Sequence, residues 1–237
     1  MTTVETTDQA TCEGEGAGAA PDGSADKRGE DALEVRGLIR GEGGLVRPAW
    51  AKNPEIARYY DTEWGRPVTD EQGVFERLCL ESLLAGLSWL TILRKRDAFR
   101  QVFHGFDPDR VAAMTEDDVE RALTNPQILR NRRKIEAVIT NARACVAMRD
   151  EGGLADFVWS FAPSEHPAPY SGDAVPPSTE GSAQLARELK ARGFTFVGPV
   201  TTYSLMQAIG VVNDHIVGTH LRPTEDAPLP GPAADQE

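Results

Sequence analysis

The sequence predicts an all-α domain of roughly seven to nine helices, from three observations. Apolar residues recur at helical spacing in the longest segments, most clearly at Ile135, Val138, Ile139, Ala142 and Val146. Residues that favour helix starts precede several of these segments. No segment shows the alternation of apolar and polar residues that is typical of a half-buried β-strand, and no internal repeat is present.

The helices are predicted in chain order from the residues that begin and end them. Asn53 caps a short helix with Pro54 in its first turn, and residues 70–87 form a helix that is apolar on nearly every side. Ser88 caps the next helix, and Thr115 with Asp118 forms a capping box before another. Further helices are expected at residues 132–148, before Gly193 and from Pro199 to Gly210, and residues 153–161 form a compact apolar segment.

The composition divides the chain into an ordered domain and two tails. Residues 1–46 are rich in small and acidic residues and are expected to be a disordered acidic tail, with 32–40 as the stretch that could be ordered. Residues 47–221 form the domain, and the polar, Pro-rich residues 222–237 form a second disordered tail. The net charge of −12 comes mainly from the tails, so it does not exclude nucleic-acid binding by the domain.

Other features predict a cytoplasmic protein with reduced thiols. The three cysteines, Cys12, Cys79 and Cys145, cannot form a disulfide framework, and the last two lie in apolar helical patterns. The N-terminus has no basic region followed by an apolar one, so a signal peptide is not expected. No apolar run approaches the roughly 18 residues needed to cross a membrane.

Glu81 is the most informative residue of the apolar helix 70–87. Its own helical face carries Val74, Leu78 and Ala85, and Arg77 lies four residues before it. One interpretation is an exposed ion pair of Glu81 with Arg77. The other is a partly buried carboxylate in a pocket wall, where a ligand with positive character would offset the cost of desolvating it.

Two further residue clusters each allow two interpretations. The aromatic residues between Trp50 and Trp64 could pack an N-terminal arm on the core or form a stacking pocket for a flat ligand. The basic residues from Arg130 to Lys134 could be a solvated helix start or face an anion such as a phosphate backbone. The spacing of histidines and cysteines does not support a metal site.

Long segments of the domain resemble the DNA-3-methyladenine glycosylase I family. They include YYDTEWGRPVTDEQGVFERLCLESLLAGLSW, ILRNRRKIEAVITNARA and RGFTFVGPVTTYSLMQAIGVVNDH, and the resemblance runs from about Arg47 to His220. It implies an all-α fold of the helix-hairpin-helix DNA glycosylase superfamily. Such enzymes flip a damaged nucleotide out of duplex DNA and hydrolyse its N-glycosidic bond.

The resemblance also implies roles for particular residues. Glu81 would contact the excised base, and the residues that line or stack on it would be Tyr59, Trp89, Trp50 and Trp64. Gly86 and Leu87 would approach the gap that the flipped nucleotide leaves. The hairpin that grips the DNA backbone would include Arg130, Arg132, Arg133 and Lys134. The family lacks the catalytic aspartate of many related glycosylases, and Asp214 is the residue we would test for such a role.

The sequence departs from the family at its zinc site. Members typically hold zinc with Cys and His ligands near both ends of the domain, and the matching residues here are Pro48, Tyr60, His215 and Thr219. Only His215 is a plausible ligand, so we expect no zinc and no other cofactor. Contacts such as Tyr60 against His215 would then join the two ends. A second departure is Leu83-Leu84, where some members carry polar amides.

The predicted function is therefore base-excision repair of alkylated duplex DNA by a monomeric, monofunctional glycosylase that releases 3-methyladenine. Methylation at N3 makes the base cationic, which favours aromatic faces and a carboxylate and weakens the glycosidic bond. The first alternative is a DNA-binding homologue that has lost catalysis. The second is a glycosylase with a shifted lesion specificity.

Overall fold

The computed structural model describes residues 23–228 and 230–231, with side chains described from residue 28 onward. Within these residues the chain forms two short strands and ten α-helices. The strands are β1 (Leu38–Arg40) and β2 (Val46–Pro48). The helices are α1 (Gly23–Val35), α2 (Pro54–Thr62), α3 (Glu71–Leu84), α4 (Trp89–Val102), α5 (Pro108–Ala112), α6 (Glu116–Thr124), α7 (Arg132–Ala147), α8 (Leu154–Trp159), α9 (Glu180–Ala191) and α10 (Pro199–Ala208).

Helix α3 lies at the centre of the domain, as its apolar sequence predicts. It packs against α4, α7, α8 and α10, and its buried side chains reach all of these neighbours. Cys79 is a free, fully buried thiol on this helix, and Cys145 is a second one on α7. Both agree with the prediction of reduced core cysteines, whereas Cys12 lies outside the described residues.

The predicted helix starts are confirmed at the atomic level. The Asn53 side chain accepts a hydrogen bond from the backbone N–H of Glu55, and Ser88 accepts one from that of Thr91. Thr115 and Asp118 form the reciprocal capping box. These side chains satisfy donors that the first helical turn leaves without a partner, which is why the same residues mark helix starts in the sequence.

The prediction of a disordered tail through residue 46 is wrong for residues 23–46. Helix α1 packs on β1, and β1 pairs with β2 in an antiparallel register that places Leu38 opposite Pro48. Leu38 is fully buried, and the guanidinium of Arg36 donates hydrogen bonds to the backbone oxygens of Tyr170 and Val217. Remote backbone acceptors therefore order a segment that is poor in large apolar residues. Residues 1–22 lie outside the described part.

The beginning of the predicted C-terminal tail is also ordered. Arg222 is buried, pairs with Thr219 in an isolated β-bridge, and donates to the backbone oxygen of Asn213. The prediction of disorder from residue 222 is thus corrected at this end by burial of a single guanidinium against backbone carbonyls. Among the helices that the structure describes, none combines the length and apolar character needed to cross a membrane.

Candidate active site

A cavity of about 550 Å³ opens between α2, α3, α4 and the segment after α10. It brings together Glu81 and all four aromatic residues predicted to bind a base. The lining residues are Gly37, Pro48, Ala49, Trp50, Tyr59, Trp64, Glu81, Leu84, Trp89, Gly172, Val175, Ser204, Gln207, Asp214 and Ile216. The volume falls within the range of pockets that enclose small ligands.

Glu81 is a buried carboxyl in the wall of this cavity. It is 8% exposed, and burial raises its pKa to about 8. Arg77 does not pair with it, because that guanidinium lies 3.1 Å from a carboxylate oxygen of Glu76 and 3.7 Å from one of Glu63. The interpretation of Glu81 as half of an exposed ion pair is therefore wrong. A desolvated carboxyl of this kind gains most from a ligand that carries positive charge.

Tyr59 and Trp89 form an aromatic corner beside Glu81. Their ring centroids are 5.2 Å apart with an interplanar angle of 52°. Burial and the nearby charge of Glu81 raise the pKa of the Tyr59 phenol, so it keeps its proton. Within the described residues the buried indole N–H of Trp89 has no hydrogen-bond acceptor. This unused donor is available to a ligand in the cavity.

The remaining aromatic residues fit both interpretations that the sequence left open, packing of the N-terminal arm and lining of a pocket. Tyr60 is fully buried and stacks on Trp64 at 5.7 Å, so it belongs to the packing of the N-terminal arm. Trp50 is 47% exposed and meets Trp64 edge to face at 5.4 Å. Both tryptophans nevertheless line the cavity. The cluster therefore packs on one side and presents aromatic faces on the other.

Asp214 supplies a second buried carboxylate to the cavity. Burial alone would raise its pKa, but hydrogen bonds from His166, Tyr203 and Gln207 hold the pKa below its usual value. Each of these donors lies 2.7 Å from a carboxylate oxygen. The two acids of the cavity thus differ, because Asp214 is ionised and fully bonded whereas Glu81 has burial as its dominant influence.

Sequence reasoning missed the three partners of Asp214. Tyr203 and Gln207 are four residues apart on α10, a spacing that places them on one helical face. That spacing was a usable signal for these two. His166 comes from a loop without helical or strand pattern, and no local signal connects it with a residue 48 positions away.

The basic residues of the predicted hairpin separate into two groups. Helices α6 and α7 are joined by residues 125–131, which we call the hairpin. Arg130 and Arg133 are exposed, and within the described part of the chain neither has an ion-pair partner. Arg132 is held by the carboxylates of three glutamates, at positions 116, 120 and 136. The sequence could not distinguish these residues, since the glutamates come partly from another helix.

Lys134 does not face outward with its neighbours. It is 9% exposed, and its ammonium donates hydrogen bonds of 2.7 Å to the backbone oxygens of Leu83 and Ala85. Its prediction as a phosphate contact is therefore not supported by its position. The two acceptors border the loop that carries Gly86, at a φ of 79°, and the 40% exposed Leu87.

The residues at the family's zinc positions do not fit a zinc ion. Pro48 has no donor atom in its side chain, and the Thr219 hydroxyl donates to the backbone oxygen of Ile216 at 2.8 Å. The His215 ring lies 5.4 Å from the Tyr60 ring, as predicted, and donates from Nδ1 to the Asn213 side chain. Burial and the charge of Arg222 lower the pKa of His215 to about 4, so the ring is neutral.

Metal ligands of other kinds are also not clustered. In the region that the structure describes, no group of three or more His, Cys, Asp and Glu side chains is arranged around a common point. The rings of Tyr60 and Trp64 join the two ends of the domain through contacts with His215, and Arg47 pairs within the N-terminal end with Asp61, whose closest atom is 2.6 Å away. His220 adds a contact of 3.1 Å to the same carboxylate.

Comparisons with known proteins identify the family of the chain. A family model described as methyladenine glycosylase matches residues 50–222. DNA-3-methyladenine glycosylase 1 of Escherichia coli (strain K12) is 48% identical over 178 residues, which cover 73% of this chain and 95% of that protein. A crystal structure of 3-methyladenine DNA glycosylase I is 51% identical, with a TM-score of 0.69 and coverage of 73% of this chain and 96% of that chain.

A variant of 3-methyladenine DNA glycosylase I, solved in complex with 3-methyladenine, is similar as well. It is 34% identical, with a TM-score of 0.69, and the match covers 74% of this chain and 96% of that one. These matches confirm both the resemblance found in the sequence and the helical fold class. The chain belongs to the methyladenine glycosylase family.

Proposed function

We propose that this chain is a monofunctional DNA glycosylase that flips 3-methyladenine out of alkylated duplex DNA and releases it by hydrolysis. The observation that supports this most strongly is the buried Glu81 carboxyl beside the aromatic corner of Tyr59 and Trp89. A site of this kind favours a flat, positively charged ring. The family members named above are glycosylases, and one of them was solved with 3-methyladenine bound.

The aromatic walls and Glu81 together select for a methylated base. A cationic ring gains about 0.5–2 kcal/mol from each aromatic face that it contacts. Its charge also lowers the pKa of Glu81 from about 8, so the carboxyl ionises and pairs with the base. Undamaged adenine is neutral and offers no such compensation. It would leave the carboxyl either protonated or desolvated without a partner, so it is bound less well.

The chemistry of the substrate reduces what the protein has to supply. The cationic base is already a good leaving group, so release needs no strong general acid in the cavity. The Trp89 indole N–H has no partner in the described residues, and we propose that it donates to an acceptor nitrogen on the bound ring. The ionised Asp214 contributes a negative potential to the same cavity, which favours positive charge that develops during bond cleavage.

Contacts with DNA are assigned to the hairpin and to the loop after α3. Arg130 in the hairpin and Arg133 in the first turn of α7 carry exposed guanidinium groups, and the N-terminus of α7 between them also favours phosphate. Leu87 is the exposed apolar side chain beside the cavity helix and would fill the gap left by the flipped nucleotide. We further propose that the enzyme acts as a monomer, because residues of one chain line the cavity. We also propose that it acts in the cytoplasm, because its relatives are DNA glycosylases.

The decisive experiment measures the released base. Duplex DNA treated with N-methyl-N-nitrosourea is incubated with the protein, and free bases are separated by chromatography. We expect 3-methyladenine to be released, and release to fall with Glu81→Ala although that variant still folds. Intact DNA binding without any free base would instead support a non-catalytic homologue, and a different free base would reveal a shifted specificity. Normal release by Glu81→Ala would refute the site assignment.

A further inference from the structure

Helix α3 runs from the protein interior to the surface at its C-terminal end, where Leu83 is buried and Ala85 is exposed. The last four carbonyls of an α-helix have no hydrogen-bond donor within the helix, and leaving such a carbonyl without a donor is costly when it is buried. Here the C-cap residue is Ala85, with φ −44° and ψ 115°, and Gly86 follows it at a left-handed φ of 79°. In this turn the N–H of Leu87 donates to the backbone oxygen of Leu84, and not to that of Leu83 or Ala85. The carbonyls of Leu83 and Ala85 accept from the Lys134 ammonium instead, at 2.7 Å each.

The contact joins two segments that are about 50 positions apart in the sequence. Lys134 lies in the first turn of α7, next to the exposed Arg133 and just after the hairpin. Its two acceptors lie on either side of Leu84 and immediately precede Gly86 and Leu87. Two charge-assisted hydrogen bonds therefore link the start of α7 directly to the segment that leads into this loop.

The environment of the ammonium shows that this contact is structural rather than incidental. Lys134 is 9% exposed although its three sequence neighbours Arg130, Arg132 and Arg133 are all more accessible. Desolvation lowers the pKa of its amine, and a cation at a helix C-terminus is favoured by the helix dipole. No carboxylate in the described part of the chain pairs with it, so backbone oxygens are its partners.

We propose that Lys134 is a positioning residue that couples the DNA-gripping hairpin to the loop of Gly86 and Leu87 and to the cavity helix. It fixes the C-terminal end of α3, which lies three residues beyond Glu81, relative to the DNA backbone that the hairpin binds. It does not itself contact phosphate. The proposal rests on the proposed function, because the loop needs a fixed position only if a nucleotide is extruded beside it.

The test compares Lys134→Met with Arg133→Met, a neighbouring change that removes the same charge. Three quantities are measured on the full chain: the salt dependence of DNA binding, single-turnover release of 3-methyladenine, and amide hydrogen exchange of residues 84–88. For Lys134→Met we expect an unchanged salt slope, faster exchange in that loop and release slowed by roughly 100-fold, the size of effect that a small misplacement causes. For Arg133→Met we expect the slope to become shallower by about 0.9, as for one lost phosphate contact.

A third variant keeps the proposal testable if Lys134→Met does not fold. Lys134→Arg retains the charge but changes the donor geometry, so it should bind DNA with the wild-type salt slope and still release base slowly. A slope change in Lys134→Met with unaltered loop exchange would identify Lys134 as a phosphate ligand and overturn the proposal. Wild-type release by Lys134→Arg would overturn it as well, because the geometry of the two hydrogen bonds would then not matter for release. If the wild-type chain releases no base, the proposed glycosylase function fails. The salt slope and loop exchange then still decide the role of Lys134.

Discussion

Replacing Glu81 by Gln tests the desolvated carboxyl on which the proposed recognition depends. The substitution keeps the shape of the side chain and removes its ability to ionise. In the folded protein burial raises the pKa of Glu81 from 4.5 to about 8. Between these two values the unfolded chain releases the proton while the folded chain retains it. The stability of the wild-type protein therefore falls as the pH rises through this window, and levels off above pH 8.

The size of the effect follows from the same two values. A difference between 4.5 and about 8 corresponds to about 5 kcal/mol at roughly 1.4 kcal/mol per pH unit. Relative to wild type, Glu81→Gln should thus gain about 1 kcal/mol at pH 5 and up to about 5 kcal/mol at pH 9. All other titrating groups are common to both proteins and cancel in the comparison.

The assay is urea denaturation of both proteins at pH 5, 7 and 9, followed by tryptophan fluorescence. Release of 3-methyladenine from alkylated DNA is measured in parallel and should fall in Glu81→Gln, because an amide cannot pair with a cationic base. A stability difference that stays constant with pH would show that Glu81 titrates normally and that water reaches it. The account of base selection by a desolvated carboxyl would then be refuted.

Three further predictions concern DNA contacts, the second carboxylate and zinc. Replacing Arg130 and Arg133 together by Gln should make the salt slope of DNA binding shallower by about 1.8. Arg132→Gln should change the slope less, because glutamates already neutralise that residue. If filter-binding titrations show that Arg132→Gln changes the slope as much as the double replacement does, this prediction is contradicted. Asp214→Asn should destabilise the fold by roughly 1–3 kcal/mol at pH 7, because donors then face an amide nitrogen. This difference in stability should shrink as the pH falls through the lowered pKa of Asp214, because protonation then removes the same stabilisation from the wild-type protein. A stability difference that does not change with pH would argue against an ionised Asp214. Elemental analysis of untagged protein should find far less than one zinc per chain, and a chelator should leave the melting temperature unchanged. Equimolar zinc would refute the prediction that the domain holds no zinc.

Helix starts are a case in which local sequence was sufficient. The caps at Asn53, Ser88 and Thr115 depend on side-chain bonds that span only two or three residues, so the information needed to recognise them is contiguous. The central position of α3 was also readable, because a helix that is apolar on all sides must be covered on all sides.

Ordered residues before the domain show where local reasoning fails. Residues 36–46 have a composition that cannot support a core of their own. They are ordered because the Arg36 guanidinium donates to backbone oxygens of Tyr170 and Val217, far along the chain, while β1 pairs with the nearby β2. The helix and strand propensities of individual residues contain no information about partners in distant segments. The same holds for His166, which reaches Asp214 from a loop.

The sequence by itself determined the helical fold class, the family resemblance and the residues gathered around the cavity. Only the tertiary structure decided the environment of each charge. It placed Arg77 against Glu76 rather than Glu81, enclosed Arg132 among glutamates, and turned Lys134 onto the end of α3. The physical reason is that a helical pattern specifies the neighbours of a side chain on its own helix. Desolvation and pairing depend on what the other helices bring to that side chain.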